Sequence, residues 1–281
     1  MPDLTAGESV ELTAIRSLAG VLDPALGLVS RPPFSAPHHD ASRTSVVGGG
    51  NGRVRPGLIS LAHGGVLFMD EFPLFRTDVI EALREPLENG DITVARGEEA
   101  VTLPARSMVV LAANPCACGN QIVGKRADCT CTPVQRRDYD LRMRGPIADR
   151  IDVVRHLSAA LFTHDPLGHQ ESSATIRARV ASARARQTIR YADHDWRLNS
   201  QAPSAALRER WPMTHEAQLL VDKAIGDGRL SRRGAVKVHR LAWTVADLRE
   251  EEIPGEYEAG IALALRQGDA LPTAAVSERA G

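Results

Sequence analysis

The sequence predicts an α/β core followed by an α-helical domain, from three observations. The run Val66-Leu67-Phe68-Met69 enters an acidic pair, Asp70-Glu71, between Gly64-Gly65 and Pro73. A second run, Met108 to Ala113, ends at Asn114. Short apolar runs bounded by turn residues read as buried parallel strands. From about residue 158 the pattern becomes helical and rich in Arg and Ala.

The acidic pair carries the most chemistry. Two carboxylates closing a buried strand are costly unless they face a cleft and meet a cation. The carboxyl edge of a parallel sheet is where α/β folds bind ligands. There Asp70 can hold Mg²⁺ through water and Glu71 can polarise an attacking water, the Walker B arrangement of P-loop ATPases. A strand ending in a solvated acidic turn is the plainer alternative. Asn114, on the neighbouring strand tip, can orient the water that attacks a γ-phosphate. Arg150, in the turn Gly145 to Asp152, can reach a neighbouring subunit's nucleotide. Arg233, in Leu230-Ser-Arg-Arg-Gly234, can contact a γ-phosphate in cis.

These strings resemble a known family. "RPPFSAPHHDAS", "RPGLISLAHGGVLFMDEFPLF", "VIEALREPLENGDITVARGEEAVTLPARSMVVLAANPCACG" and "GPIADRID" are similar to the magnesium-chelatase-like AAA+ ATPases, in the competence-protein (ComM-like) branch. The resemblance covers roughly residues 1–255. It implies a partial AAA+ P-loop NTPase core, with a parallel sheet and a hairpin before the sensor strand, followed by a helical lid. It assigns Walker B to Asp70 and Glu71, sensor 1 to Asn114, the arginine finger to Arg150 and sensor 2 to Arg233, with Arg232 as the fallback. It implies ATP and Mg²⁺ as cofactors, a hexamer-like homo-oligomeric ring, and action on branched DNA.

One motif of that family departs. No G-x-x-x-x-G-K-S/T occurs in this sequence. The string from Gly119 to Arg126 has the glycines and Lys125, but Arg126 stands where Ser or Thr would ligate Mg²⁺. The expectation is the C-terminal portion of a longer ATPase, inactive alone for want of the phosphate-gripping loop. The alternatives are a non-hydrolysing remnant or interaction module, and a magnesium-chelatase ATPase subunit. The cysteine cluster favours the competence-type branch over the last.

Composition suits a soluble ATPase module. The 281 residues are 43% hydrophobic, enough for a core domain of residues 1–157, a lid of 158–256 and a tail of 257–281. Lys+Arg of 34 against Asp+Glu of 35 leaves a net charge of −1, which argues against strong sequence-independent DNA affinity. Aromatics at 4% leave few base-stacking platforms. No apolar stretch approaches membrane-span length and no signal-peptide pattern opens the chain, so the cytoplasm is the expected compartment.

All four cysteines lie close together: Cys116, Cys118, Cys129 and Cys131. Paired Cys-x-Cys units on turns can present four thiolates to a tetrahedral Zn²⁺ in a structural role. Disulfides or reduced thiols are the alternatives, and disulfides do not suit a reducing compartment.

The remaining elements follow in order. Residues 9–22 carry Val10, Ala14, Ile15, Leu18 and Val21-Leu22 at helical spacing. Residues 29–62 are rich in Pro and Gly and read as a loop-rich insertion. His38-His39 there can be metal ligands or DNA contacts, but ordinary polar turn residues fit better. Arg43, Arg53 and Arg55 can meet phosphates or be solvated. Asp78 and Glu81 read as a helix cap, with Val79, Leu83 and Leu87 buried, Pro86 loosening the last turn and Asn89-Gly90 ending it. Ile92–Arg96 and Ala100–Leu103 read as a β-hairpin with Arg96 near its tip, a DNA contact or a solvated arginine. Residues 174–190 form a helix with Arg177, Arg179, Arg184, Arg186 and Arg190. A basic face of this kind is more often solvated than bound to DNA. The helix at 231–249 carries Val238, Leu241, Val245 and Leu248, with Arg233, Lys237 and Arg240 on an adjoining face. A final short helix and a frayed tail are expected beyond residue 257.

Overall fold

The computed structural model describes residues 1–50, 53–96, 99–120, 129–145, 147–157 and 171–271. They form two compact units, Met1–Arg150 and Ile151–Gly281. No helix among the described residues is long and apolar enough to cross a membrane.

The first unit opens with α1 (Ala6–Ala19), capped by Thr5 and Glu8 in a reciprocal box. The helix starts and stops three residues before the range expected from apolar spacing. It buries Leu12 and Ile15, while Val10, Leu18 and Val21 stay exposed. The following segment is less irregular than its Pro and Gly content predicts. It holds β1 (Phe34–Ser35), α2 (Arg43–Val47), the ribbon β2 (Gly48–Gly49) with β3 (Arg55–Pro56), and α3 (Leu58–Leu61). Arg43, Arg53 and Arg55 are exposed.

The strand β4 (Val66–Met69) follows, with Leu67 and Met69 fully buried. The helix expected around Asp78 forms as two pieces, α4 (Thr77–Ala82) and α5 (Arg84–Asn89). Pro86 has no N–H to give Ala82, so the continuous bond ladder fails there. Asp78 is not the cap. It lies inside the first turn and pairs with Arg76, 3.1 Å away. Val79 and Leu83 are buried, Leu87 is half-buried, and Gly90 ends the helix at φ 77°.

Strands β5 (Asp91–Arg96) and β6 (Glu99–Pro104) make the expected antiparallel hairpin, with Thr93 opposite Thr102. The Arg96 side chain lies outside the described residues. Strand β7 (Met108–Leu111) then pairs with β4 in parallel, Met69 opposite Leu111, in the sheet order β1-β4-β7. Only β4 is central. Met108 and Val110, expected to be buried, are exposed because they share one face of β7 that the described residues leave uncovered. Helix α6 (Pro133–Arg144) completes the unit, capped by Thr132 and Gln135.

A buried tie fixes α1 to this sheet. His63 Nδ1 accepts the Arg106 N–H at 3.2 Å, so the ring proton sits on Nε2. Nε2 then donates to Glu11 at 2.8 Å, and Glu11 also receives Arg106 at 2.9 Å. Burial lowers the His63 pKa, opposed by the Glu11 bond.

The second unit contains α7 (Ser173–Arg190), α8 (Ser204–Arg210), α9 (His215–Gly226), α10 (Arg232–Arg249) and α11 (Glu256–Gln267). It begins before residue 158, the boundary read from sequence. Val154 N–H donates to Leu265 O at 2.8 Å and Arg266 donates to Ile151 O at 2.7 Å. Residues 257–267 form the expected final helix, but as part of the core rather than a tail. Ala259, Ala262 and Leu263 of α11 pack into one core with Ala217, Val221, Val238 and Ala242.

The buried stripe of α10 differs from the expected one. Val238, Ala242 and Ala246 are fully buried, while Leu241 and Val245 are half-buried and Leu248 is exposed. Alanines at a four-residue spacing bring helix axes close, a packing gain that side-chain size alone does not signal. On the other side of α10, Asp247 is fully buried and meets Arg190, Asn199 Nδ2 at 2.8 Å and, through Asn199 Oδ1, the Tyr191 hydroxyl at 2.9 Å. The Arg190 guanidinium also lies 4.0 Å from the Trp243 ring centre.

Candidate functional site

The acidic pair and Asn114 stand at one edge of one sheet. Beyond the β4–β7 register, Ala112 N–H donates to Met69 O at 3.0 Å and Phe72 N–H donates to Ala112 O at 2.9 Å. The two strand ends are therefore stitched together past their last paired residues. Asp70 and Asn114 are exposed and the Glu71 side chain is 44% exposed. Exposed carboxylates beside an amide at the carboxyl end of parallel strands form a donor set suited to a hydrated divalent cation and its phosphate ligands.

Glu71 has an unusual backbone. Its φ is 51°, in the left-handed region, and its N–H donates to Asp70 Oδ1 at 2.9 Å. A non-glycine residue held there costs of order 1 kcal/mol and persists where the surroundings impose it. The short 3₁₀ turn Phe72–Leu74 buries Phe72 beneath, and Arg142 of α6 donates to Pro73 O at 2.9 Å. These contacts lock the turn that carries the carboxylate.

Two neighbours of Glu71 were not singled out as functional from sequence. His39, read there as a turn residue, places Nδ1 3.2 Å from Glu71 Oε2. Tyr139 of α6 is buried, and burial raises its pKa, opposed by the Asn114 backbone and reinforced by Cys116, Glu71 and Cys131. The run Pro-His-His-Asp at 37–40 is the sequence signal for His39. Tyr139 leaves none, because a lone aromatic in a helix reads as core.

The four cysteines converge just after Asn114. The Sγ atoms of Cys116 and Cys118 are 3.4 Å apart, and Cys129 lies 3.7 Å from each. With Cys131, all four lie within 4.8 Å of one another and none forms a disulfide. A tetrahedral S₄ zinc site with bonds of about 2.3 Å sets its sulfurs about 3.8 Å apart. The spacing fits that group. The Asn120 backbone and the Cys116 thiol pull Cys118 down to about 5, while Cys118 and burial push Cys131 up to about 11. The sequence string Gly119 to Arg126 that superficially resembles a P-loop falls mostly in 121–128, outside the described residues.

The predicted arginines differ in setting. Arg150, in a 3₁₀ turn, pairs with Glu88 and its side chain is 14% exposed. It is held inside its own unit rather than projecting. Arg232 and Arg233 are exposed at the first two positions of α10, beyond the cap Ser231. Cations at a helix N-terminus oppose the macrodipole, and a bound anion relieves both. Lys237 and Arg240, expected on the same face, are engaged elsewhere: Lys237 with Asp152 at 2.6 Å and Arg240 with Ala202 O at 2.8 Å. The basic face of α7 is largely consumed too. Arg179 pairs with Glu171 at 2.8 Å, Arg186 with Glu250 at 2.7 Å, and Arg190 with Asp247.

A parallel sheet whose carboxyl edge presents Asp-Glu beside Asn, preceding a helical unit, defines an α/β core of the AAA+ kind with a helical domain. Comparison with known proteins gives the family. The family model described as "Magnesium chelatase, subunit ChlI" matches residues 1–163, and "Magnesium chelatase, subunit ChlI C-terminal" matches 170–266. An uncharacterized protein of Mycobacterium tuberculosis is 40% identical over 270 residues, covering 95% of this chain and 52% of that protein. YifB of Escherichia coli is 35% identical over 273 residues, covering 96% and 52%. Competence protein ComM of Haemophilus influenzae is 32% identical over 258 residues, covering 90% and 48%. The chain belongs to the magnesium-chelatase-like family, in the branch that includes YifB and ComM. It spans about half the length of these curated relatives.

Proposed function

We propose that this chain carries the hydrolytic edge and helical lid of an ATPase that works as a homo-oligomeric ring, hexamer-like, on branched DNA in the cytoplasm. The observation that carries the reading is the stitching of Met69 and Phe72, which flank the acidic pair, to Ala112, two residues before Asn114. In this reading Asp70 holds Mg²⁺ through water, and the metal offsets charge on the β- and γ-phosphates. Glu71 accepts a proton from the attacking water while Asn114 orients it. Arg233 or Arg232 meets phosphate, supported by their exposure at a helix N-terminus. Arg150 serves as a finger only after leaving Glu88. The cysteines hold structural Zn²⁺ and pin the loop behind Asn114. DNA is supported by similarity to the competence-type branch and by the exposed Arg43, Arg53 and Arg55. The family's chelatase name supports a second role, ATP-driven metal insertion, through the same edge.

The test joins this chain to the segment of a relative that precedes the matched region. The joined protein is expected to bind and hydrolyse ATP, with branched DNA raising turnover. Glu71→Gln is expected to keep ATP binding and lose at least about a hundredfold in turnover. Unchanged turnover in that variant would overturn the reading, and turnover by this chain alone would overturn the need for the joined segment.

A further inference from the structure

The proposed role of Glu71 leaves open what aims its carboxylate. Glu71 stands on a left-handed backbone, φ 51°, at the exposed rim of the sheet. A half-exposed carboxylate there samples several rotamers unless something holds it. The described contact to its carboxylate comes from His39, on the segment after β1, with Nδ1 3.2 Å from Oε2. The His39 side chain is only 25% exposed. Its other nitrogen, Nε2, lies 3.6 Å from Asp40, and its ring packs on His38 with centres 4.2 Å apart. Nδ1 is thus the ring nitrogen within reach of a carboxylate oxygen, while Nε2 lies beyond hydrogen-bond distance of Asp40 and the ring face rests on His38.

We propose that His39 is the positioning residue for Glu71, an imidazole whose Nδ1–H fixes one carboxylate oxygen and leaves the other to accept from a water. A base oriented by a third group is a recurring catalytic device, because a carboxylate free to rotate spends little time at the productive angle. The Pro-His-His-Asp turn thus becomes part of the site rather than a connector. The inference rests on the ATPase reading for its consequence, but not for the contact itself.

Two measurements separate these. In this chain alone, ring-nitrogen NMR spectra distinguish its nine histidines. The His39 signals are identified by their loss in His39→Asn. Glu71→Ala is expected to move them and leave those of His63 and His239 in place. His39 signals unchanged by Glu71→Ala would overturn the proposal. In the joined ATPase, His39→Ala is expected to lower kcat about tenfold or more with ATP affinity within about twofold, and His39→Gln to recover part of the loss. Adding His39→Ala to Glu71→Gln is expected to cost nothing further. An additive loss, or equal losses in kcat and affinity, would also overturn it. If the joined protein binds no ATP, the ATPase reading fails while the NMR result still decides whether His39 holds Glu71.

Discussion

Phe72 donates its backbone N–H to the carbonyl of Ala112 across 2.9 Å. That bond crosses from the residue after the acidic pair to the residue two before Asn114. It makes the distance between the three polar side chains a property of the sheet rather than of flexible loops. Disturbing the turn is therefore expected to act at a distance. Phe72 is 1% exposed, so Phe72→Ala is expected to destabilise the first unit by about 3–5 kcal/mol. Chemical denaturation of this chain, monitored on unit-specific probes, checks it.

The cysteine site gives a metal prediction. One Zn²⁺ per chain is expected on purification, and Cys118→Ser is expected to abolish stoichiometric binding. Its ligands must be deprotonated, so bound zinc is expected at pH 7 and released as pH falls toward 5. Metal analysis across that range, with melting curves before and after a strong chelator, reads the outcome. Metal-free protein with four freely titrating thiols would contradict it.

Acid is expected to destabilise both units through two histidines. Burial lowers the pKa of His63 in the first unit and of His239 in the second. The folded chain thus resists a proton that the unfolded chain accepts near the ordinary histidine value, about 6.5. Their stabilising contribution is complete above that pH and is lost as pH falls through the lowered folded values. Melting temperature is expected to fall below about pH 6.5, with a shallower fall in His239→Gln.

The second unit depends on a buried ion pair. Asp247 is fully buried against Asn199 and the Arg190 guanidinium, which Trp243 flanks. Removing one partner leaves an uncompensated buried charge, so Asp247→Ala is expected to cost about 3–5 kcal/mol. The same change is expected to leave zinc content untouched, since the cysteines belong to the first unit.

These residues also show how much was legible in sequence. The strands β4 and β7, the hairpin β5–β6 and helices α7 and α10 announce themselves through apolar runs or helical periodicity. So do Asp70, Glu71 and Asn114, because polar residues at strand tips interrupt those runs. The shared edge of the cysteines was legible only as spacing. What sequence misassigned depended on partners that only the structure shows. Asp78 resembles a cap but is drawn to Arg76. The α10 stripe shifts onto Ala242 and Ala246 because neighbouring helices approach closely there. Lys237 and Arg240 look like companions of Arg233 until Asp152 and the Ala202 carbonyl claim them. His39 looks like a turn residue until Glu71, 32 residues further along the chain and just past β4, comes within reach.

The central claim is that the edge formed by Asp70, Glu71 and Asn114 receives a metal–triphosphate. Mn²⁺·ATP in place of the magnesium complex tests it directly in the joined protein, through paramagnetic broadening of backbone amide signals. The account predicts broadening concentrated at Asp70, Glu71, Phe72 and Asn114, abolished for the metal by Asp70→Ala. Broadening centred on other residues, with these four left sharp, would contradict it.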